Sequence, residues 1–299
     1  MPISASQVRE LRERTGAGMM ECKKALTETD GDMEAAVLHL RKSGQAKADK
    51  KAGRVAADGR IVIAFEGRNA AIVEVNSETD FVAKDENFVS FAEAVAQSVL
   101  TGDAADLEAL ASSTLPDGRT VESARTELVA RVGENISVRR FGRLAAGEHL
   151  GRYIHPGSRI GTVVSMSGGS HELARDIAMH VAASKPPYLD EADVPASVLA
   201  TERELLTEHA RESGKPDEIV AKMVEGRAAR FLKEITLLGQ PFVKDPNVSV
   251  GRLLGDAGAR VTAFVRFELG EGIEKKQENF AEEVMAQVRG NPSAKEDER

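Results

Sequence analysis

Cysteine and tryptophan are almost missing from the sequence, because its 299 residues contain one cysteine, Cys22, and no tryptophan. A single cysteine excludes an internal disulfide and any metal site built from several thiolates. Cys22 stands beside Lys23 and Lys24, whose charges would favour a reactive thiolate, but a thiol packed into a short helix is the better interpretation. We therefore predict a structural thiol and a reducing compartment.

The sequence also has no long apolar run and no excess of basic charge. No window approaches the roughly 20 apolar residues that span a bilayer, and residues 1–16 alternate polar and apolar types, unlike a secretory signal. The 40 basic and 48 acidic residues give a net charge of −8, which opposes capture of a phosphate backbone. We predict a cytoplasmic protein whose partner is neither a membrane nor a nucleic acid.

Motifs for nucleotide binding are absent as well. A phosphate-binding loop needs a glycine-rich turn followed by Lys and then Ser or Thr, but Gly214 and Lys215 are followed by Pro216. The pair Gly16 and Gly18 lacks the third glycine of a dinucleotide-binding turn, and no strand precedes it. Both stretches are typical of turns, so the sequence predicts no nucleotide site of its own.

Catalytic and metal-binding patterns are equally scarce. The six histidines show no ligand spacing on a common helix, and no nucleophile elbow occurs. His180 falls on one helical stripe with Leu173 and Ile177, which favours a buried histidine whose ring is hydrogen-bonded. We predict no catalytic residue, no metal site and no cofactor.

The sequence does contain amphipathic segments of helical period. Residues 4–44 carry apolar side chains at helical spacing with two breaks, which predicts three short helices. Asp32 is placed to cap the third helix, and Gly44 is placed to end it. Residues 45–59 contain few large apolar side chains, and we interpret them as a linker.

Beyond residue 60, alternating stretches indicate strands and longer stripes indicate helices. The strand signals lie at 61–65, 72–75, 136–138, 153–154, 160–164 and 261–267. Helical stripes follow the early strand pairs, at about 88–99 and 171–184, whereas residues 101–119 resemble a loop. The order hairpin then helix occurs twice, which predicts an α+β fold with two related halves.

Two further stripes at about 195–235 predict an antiparallel helical hairpin. Its apolar stripe is either the packing seam between the two helices or a surface that recruits a second copy of the chain. A last helix is predicted at 276–288. The predicted parts are a three-helix module with its linker at 1–55, a first α+β subdomain at 56–140, a second at 141–270 that includes the hairpin, and a C-terminal helical module with a polar tail at 271–299.

The stretch from Asn76 to Lys84 places a phenylalanine in a charged, turn-prone segment at the end of a strand. In one interpretation, Asp80 caps the following helix and Phe81 packs back onto it. In the other, Phe81 is an apolar wedge, with a carboxylate beside it, that is offered to a partner protein. Spacing alone favours the first interpretation.

Five parts of the sequence resemble the elongation factor Ts family, in the family's order and over nearly the whole chain. They are TGAGM at 15–19 with CKKAL at 22–26, EVNSETDFVA at 74–83, GENI at 133–136 with RR at 139–140, HVAASKP at 180–186, and GQPFV at 239–243. Any one of these could arise by chance, but five in order do not. Residues 101–119 match no family motif and are assigned no role.

The resemblance implies an N-terminal module like a ubiquitin-associated domain, an α+β core of two subdomains, a protruding helical hairpin and a C-terminal helical module. It also implies a guanine nucleotide exchange factor, which is not an enzyme, with elongation factor Tu as its partner. In this family the segment that is here Thr79, Asp80, Phe81 and Val82 enters the GTPase and displaces its Mg²⁺, so that GDP leaves and GTP can bind. The further partner contacts that the resemblance implies are Met19, Met20, Lys23, His180, Phe280 and Met285.

Two other functions are compatible with the residues alone. The three-helix module could be a binding adaptor for ubiquitin-like ligands, in which case residues 1–55 would bind by themselves. A hydrolase that uses carboxylates such as Glu78 and Asp85 would lose turnover in Glu78→Gln and would need no partner protein.

Overall fold

The computed structural model of the chain describes residues 3–145, 147–212 and 216–274. The described helices are α1 (Ala5–Thr15), α2 (Met19–Glu28), α3 (Met33–Lys51), α4 (Glu86–Thr101), α5 (Leu107–Ser112), α6 (Val121–Val132), α7 (His171–Ser184), α8 (Ala196–Arg211), α9 (Asp217–Ile235) and α10 (Val250–Asp256). The described strands are β1 (Asp58–Glu66), β2 (Asn69–Ser77), β3 (Ser137–Ala145), β4 (His149–Ile154), β5 (Ile160–Ser167), β6 (Pro241–Phe242), β7 (Asp245–Ser249) and β8 (Arg260–Glu268). The predicted helix at 276–288 and the predicted contacts Phe280 and Met285 lie outside the described residues.

Helices α1 to α3 pack around a small apolar core that includes Leu11 and Leu26, both without exposed surface. The helix boundaries follow capping chemistry. Ser4 forms a capping box at the start of α1, and the Asp32 carboxylate accepts a hydrogen bond of 3.0 Å from the amide of Ala35 at the start of α3. The predicted three-helix module and the predicted cap at Asp32 are confirmed.

The prediction that Gly44 ends the third helix is wrong, because α3 continues through it to Lys51. Gly44 and Ala48 are both buried where α3 crosses α6. A Cβ at Gly44 would lie 3.5 Å from the Cβ of Ala130, so the small residue allows the two helices to approach closely. The predicted linker is therefore helical up to Lys51, and one of its small residues, Ala48, is buried in this contact.

Two three-stranded antiparallel sheets form the centre of the fold, in the orders β1-β2-β3 and β4-β5-β8. In each sheet a β-hairpin leads into a helix, and a later strand returns to pair with the second strand of the hairpin. The α+β fold with two related halves is thus confirmed. Strand β3 continues to Ala145, well beyond the signal at 136–138, and it crosses the predicted boundary at 140.

The two sheets pack face to face through an apolar layer that includes Ile61, Ile72 and Val163. The sheets approach so closely that a Cβ at Gly161 would lie 2.5 Å from a methyl carbon of Ile61. Helices α4 and α6 cover the outer face of the first sheet, and α7 and α10 cover that of the second. This arrangement leaves the connection between β2 and α4 at the surface.

The prediction that residues 101–119 form a loop is wrong in part, because they contain the helix α5. Asp106 caps this helix by accepting a hydrogen bond of 2.8 Å from the amide of Ala109. Leu110 and Leu115 are buried in the core of the first half. A helix of this length carries too few apolar positions for its period to be recognised in the sequence.

Helices α8 and α9 pack mainly on each other. Their seam joins Leu206 and Ala210 of α8 to Val220 and Val224 of α9, which confirms the predicted antiparallel hairpin. Within the described ranges, no helix is long and apolar enough to cross a membrane.

Candidate functional site

The connection between β2 and α4, residues 78–85, carries an exposed aromatic ring. Phe81 is 80% exposed, the highest value among the large apolar side chains that the structure describes. A phenylalanine ring has a large apolar surface to bury, so Phe81 is available as an anchor for a partner protein. Phe81 is followed by a single turn of 3-10 helix, Val82–Lys84.

The interpretation in which Asp80 caps the helix and Phe81 packs onto it is wrong. The cap of α4 is Asp85, whose carboxylate accepts hydrogen bonds from the amides of Asn87 at 2.9 Å and Phe88 at 3.3 Å. A hydrogen bond from the Asn87 side chain, together with these two backbone bonds, holds the pKa of Asp85 below its usual value. Asp80 instead pairs with Lys84 at 2.6 Å, and the Phe81 ring remains exposed.

Thr79 is fixed from behind by Glu134, which lies 55 residues further along the chain. The Thr79 amide donates to Glu134 Oε2 at 3.0 Å, and the Thr79 hydroxyl donates to Glu134 Oε1 at 2.7 Å. The Ser77 hydroxyl donates to the Thr79 carbonyl oxygen at 2.8 Å. The residue two positions before Phe81 is therefore held on three sides.

Glu78 is anchored by Asn135, the residue that follows Glu134 in the sequence. Its carboxylate accepts the amide of Asn135 at 2.6 Å and lies 3.4 Å from the guanidinium of Arg54. The Asn135 side chain in turn donates to the Arg54 carbonyl oxygen at 2.8 Å. The stretches EVNSETDFVA and GENI, far apart in sequence, thus meet to form one anchored loop.

The hydrolase alternative finds no support in this geometry. Glu78 is bound to Asn135 and Arg54, and Asp85 serves as the cap of α4. Both carboxylates are therefore accounted for by local structure. Over residues 3–274, apart from the gaps at 146 and 213–215, no three His, Cys, Asp or Glu side chains are grouped so that they could hold a metal ion.

His180 is buried on α7 and contacts the loop that follows α9. Its Nδ1 accepts the amide of Val243 at 3.1 Å, so Nε2 carries the proton and donates to Gln240 Oε1 at 3.0 Å. Burial lowers the pKa of His180, which keeps the ring neutral. The predicted buried, hydrogen-bonded histidine is confirmed, and the stretches HVAASKP and GQPFV meet at this ring.

The remaining predicted contacts lie on α2 of the three-helix module. Met19 is 44% exposed and Met20 is 76% exposed, and Lys23 is exposed beside them. Cys22 points into the module core, and burial raises the pKa of its thiol, which confirms the structural interpretation. One helix therefore presents two methionines and a lysine outward while it keeps the cysteine inside.

The anchoring roles of Glu134 and Asn135 were not predicted from the sequence. Their only signal was the GENI stretch, because local periodicity says nothing about a contact across 55 residues. Arg139 and Arg140 belong to a stretch that resembles the family, and no role was predicted for them. They both bind the buried carboxylate of Glu74, at 3.0 and 2.6 Å.

Comparison with known proteins agrees with this organisation. The family model described as Elongation factor TS matches residues 78–271. Elongation factor Ts of Thioalkalivibrio sulfidiphilus is 62% identical over 294 residues, which cover 97% of this chain and 100% of that protein. Elongation factor Ts of Legionella pneumophila (strain Paris) is 58% identical over 289 residues, which cover 96% of this chain and 99% of that protein. The chain belongs to the elongation factor Ts family and is a translation elongation factor.

Proposed function

We propose that this chain is a guanine nucleotide exchange factor for elongation factor Tu. It binds the GDP-bound GTPase, displaces Mg²⁺ and promotes the release of GDP, after which GTP binds and the factor leaves. In this proposal the chain catalyses no covalent chemistry and needs no cofactor. Membership of the family supports the partner, and the exposed ring of Phe81 on an anchored loop is the single observation that supports the mechanism.

The proposed acting segment is Thr79 to Val82, with a different task for each residue. Phe81 is the wedge that enters the GTPase. Asp80 places a carboxylate beside the ring, where it can compete for the groups that surround the Mg²⁺ ion of the GTPase. Thr79 binds the segment to Glu134. Because this contact holds the segment against the core of the first half, less has to be ordered when the ring enters the GTPase.

Energetics require more than the wedge. An acceleration of about ten-thousandfold corresponds to roughly 5.5 kcal/mol, whereas burying one phenylalanine contributes about 2 to 3 kcal/mol. We propose that the remainder comes from a second set of contacts through Met19, Met20 and Lys23, and a third through Phe280 and Met285. The interface would then exceed about 2,000 Å².

His180 has no exposed surface, so we propose an indirect role for it. Its hydrogen bond from the Val243 amide fixes the loop after Phe242, and Val243 is itself 43% exposed. The buried ring would thus hold an apolar contact of the second half in place.

Binding of the factor and binding of GDP are linked. A factor that weakens GDP affinity by a given ratio is weakened by GDP in the same ratio. Exchange follows from this reciprocity, because GTP drives the factor off once GDP has left. The same reasoning predicts tight binding to the nucleotide-free GTPase.

The test is the release of fluorescent GDP from elongation factor Tu after mixing with the full chain. The proposal predicts release that accelerates with factor concentration and saturates. Absence of acceleration at micromolar factor would end the proposal. Residues 1–55 alone serve as the comparison for the adaptor alternative, which predicts a ligand for that module and no effect on GDP.

A separate question is whether the helical hairpin pairs with a second copy of the chain. Its seam is filled by contacts between α8 and α9, yet Leu205 and Ile219 remain exposed on its outside. We propose that packing is the main role of the stripe and that pairing with a second copy would use these two residues. The molecular mass in solution of Leu205→Ser with Ile219→Ser, against the unchanged chain, distinguishes a monomer from a homodimer.

A further inference from the structure

Residues 133–136 follow α6 and lie between the end of α3 and the connection from β2 to α4. Gly133, the left-handed residue that ends α6, has φ +80 and turns the chain away from the helix. Its carbonyl oxygen accepts a hydrogen bond from the Lys51 ammonium at the end of α3. Glu134 binds the amide and the hydroxyl of Thr79 in the connection. One short segment therefore contacts both elements.

Asn135 is the residue of this segment that bonds to both sides at once. Its side-chain Nδ2 donates to the carbonyl oxygens of Arg54 at 2.8 Å and of Ala52 at 3.4 Å, just beyond α3. Its main-chain amide donates to Glu78 Oε1 at 2.6 Å, at the start of the connection. Asn135 is only 7% exposed, so water has little access to these bonds. A single buried residue thus fixes the end of α3 relative to Glu78.

An asparagine suits this position because both of its side-chain partners are carbonyl oxygens. A side-chain amide has two N–H donors, whereas an ionised aspartate of the same size has none and would face the two oxygens with like charge. The direct ion pair between the two sides, Arg54 with Glu78 at 3.4 Å, has an arginine side chain that is 55% exposed. Such exposed pairs hold their geometry weakly, so the position of the connection depends more on Asn135.

We propose that Asn135 is a positioning residue for Phe81, which holds the connection from β2 to α4 against the end of α3 in the conformation that presents the ring. The inference rests on the proposed function, in which Phe81 enters the GTPase. A segment that is ordered in advance loses less conformational freedom on binding. The three-helix module would then support the ring through α3, in addition to any contact of its own with the partner.

The first test is amide hydrogen exchange of the full chain, which needs no partner. Asn135→Asp keeps the size of the side chain and removes its N–H donors. We expect exchange to become at least about fivefold faster over 52–57 and over 79–85, with α7 unchanged, because only the bonded segments open more often. Faster exchange over 52–57 alone would show that Asn135 only holds the end of α3, and it would overturn the inference. Should Asn135→Asp fail to fold, Asn135→Ala removes the same donors without adding a charge.

The second test is GDP release at factor concentrations well below saturation. Asn135→Asp should slow release about fivefold, because a smaller fraction of the molecules holds the connection in the competent conformation. In a chain that already carries Phe81→Ala there is no ring to position, so the same substitution should change the rate by less than about twofold. An equal slowing in both backgrounds would show a general structural defect and would overturn the inference.

The matched control is Asn69→Asp, which adds the same charge at an exposed asparagine at the other end of β2. It should leave both readouts unchanged, and an effect as large as that of Asn135→Asp would assign the result to the added charge and overturn the inference. If the unchanged chain does not release GDP, the proposed function fails, whereas faster exchange over 79–85 in Asn135→Asp would still support the hold of Asn135 on the connection. Unchanged exchange over 79–85 overturns the inference whether or not GDP is released.

Discussion

The two halves of the core follow the same path but connect their hairpins to their helices in different ways. In the second half, β5 passes into α7 through residues 168–170, where Gly168 and Gly169 are both left-handed and Ser170 caps the helix. In the first half, β2 passes into α4 through residues 78–85, which expose Phe81 and attach Thr79 to Glu134.

From this difference we propose that the topology serves folding in both halves, whereas the connection of the first half also serves exchange. The short turn of the second half is shaped by its own backbone and by a bond from the Gly168 amide to Glu148 at 2.8 Å. The longer connection of the first half is held by a distant segment of the chain. Substitutions in the first connection should therefore affect exchange, and those in the second should affect stability.

The largest expected effect is that of Phe81→Ala. We expect GDP release to slow by roughly 30- to 150-fold, the equivalent of about 2 to 3 kcal/mol of lost burial in the complex. The melting temperature should hardly change, since exposed substitutions usually stay within about 0.5 kcal/mol. Phe65→Ala, at a half-exposed phenylalanine outside the loop, is the matched control, and a large loss of stability in Phe81→Ala would restore the packing interpretation.

The converse experiment is Gly168→Ala in the second connection. A Cβ there would lie 2.3 Å from the Gly258 carbonyl oxygen, on a residue with φ +68. We expect the free energy of unfolding to fall by about 2 kcal/mol or more, measured by urea denaturation. The exchange rate per folded molecule should be retained, and its loss would contradict the division of roles between the two connections.

Removing the anchor of the loop should have an intermediate effect. Thr79→Val keeps the shape of the side chain but loses the hydroxyl bond to Glu134. Reordering the loop at a cost of about 1.4 kcal/mol would slow exchange roughly tenfold, as measured by GDP release. Thr79→Ser retains the hydroxyl and should recover most of the rate, whereas a defect in Thr79→Ser as large as that in Thr79→Val would show that the hydroxyl bond to Glu134 does not explain the effect.

The smallest effect is a pH dependence of stability in the second half. Burial lowers the pKa of His180 in the folded chain below the unfolded value of 6.5, so the unfolded state binds the proton first. Stability is therefore complete above about pH 6.5 and falls as the pH drops below it, by at most about 1.4 kcal/mol per pH unit. Urea denaturation at pH 7.5 and 5.5 should show this loss in the unchanged chain and less of it in His180→Gln.

Much of the fold could be predicted because its elements carry clear periods. Alternation in β1 and the stripes of α4 and α7 were sufficient to indicate two halves. The continuation of α3 was missed because Gly44 and Ala48 give no apolar signal, although their small size is what permits contact with α6. Likewise, the alternation of side-chain types along β3 does not indicate the bulge at Arg139.

The candidate site was only half predictable. The sequence identified the segment, but local spacing favoured Asp80 as the cap of the following helix with Phe81 packed onto it, whereas Asp85 is the cap and Phe81 is exposed. The conformation of the loop depends on Glu134 and Asn135, whose contacts with it exist only in the folded chain. Resemblance pointed to the segment, and tertiary contacts determine its exposure.

The account depends on Phe81 acting through the magnesium ion of the partner. The most direct measurement compares GDP release by the unchanged chain and by Phe81→Ala, first with Mg²⁺ present and then with the metal chelated. We predict that the large difference between the two chains with Mg²⁺ nearly disappears without it, because the wedge then has no ion to displace. An equal difference in both conditions would contradict the account.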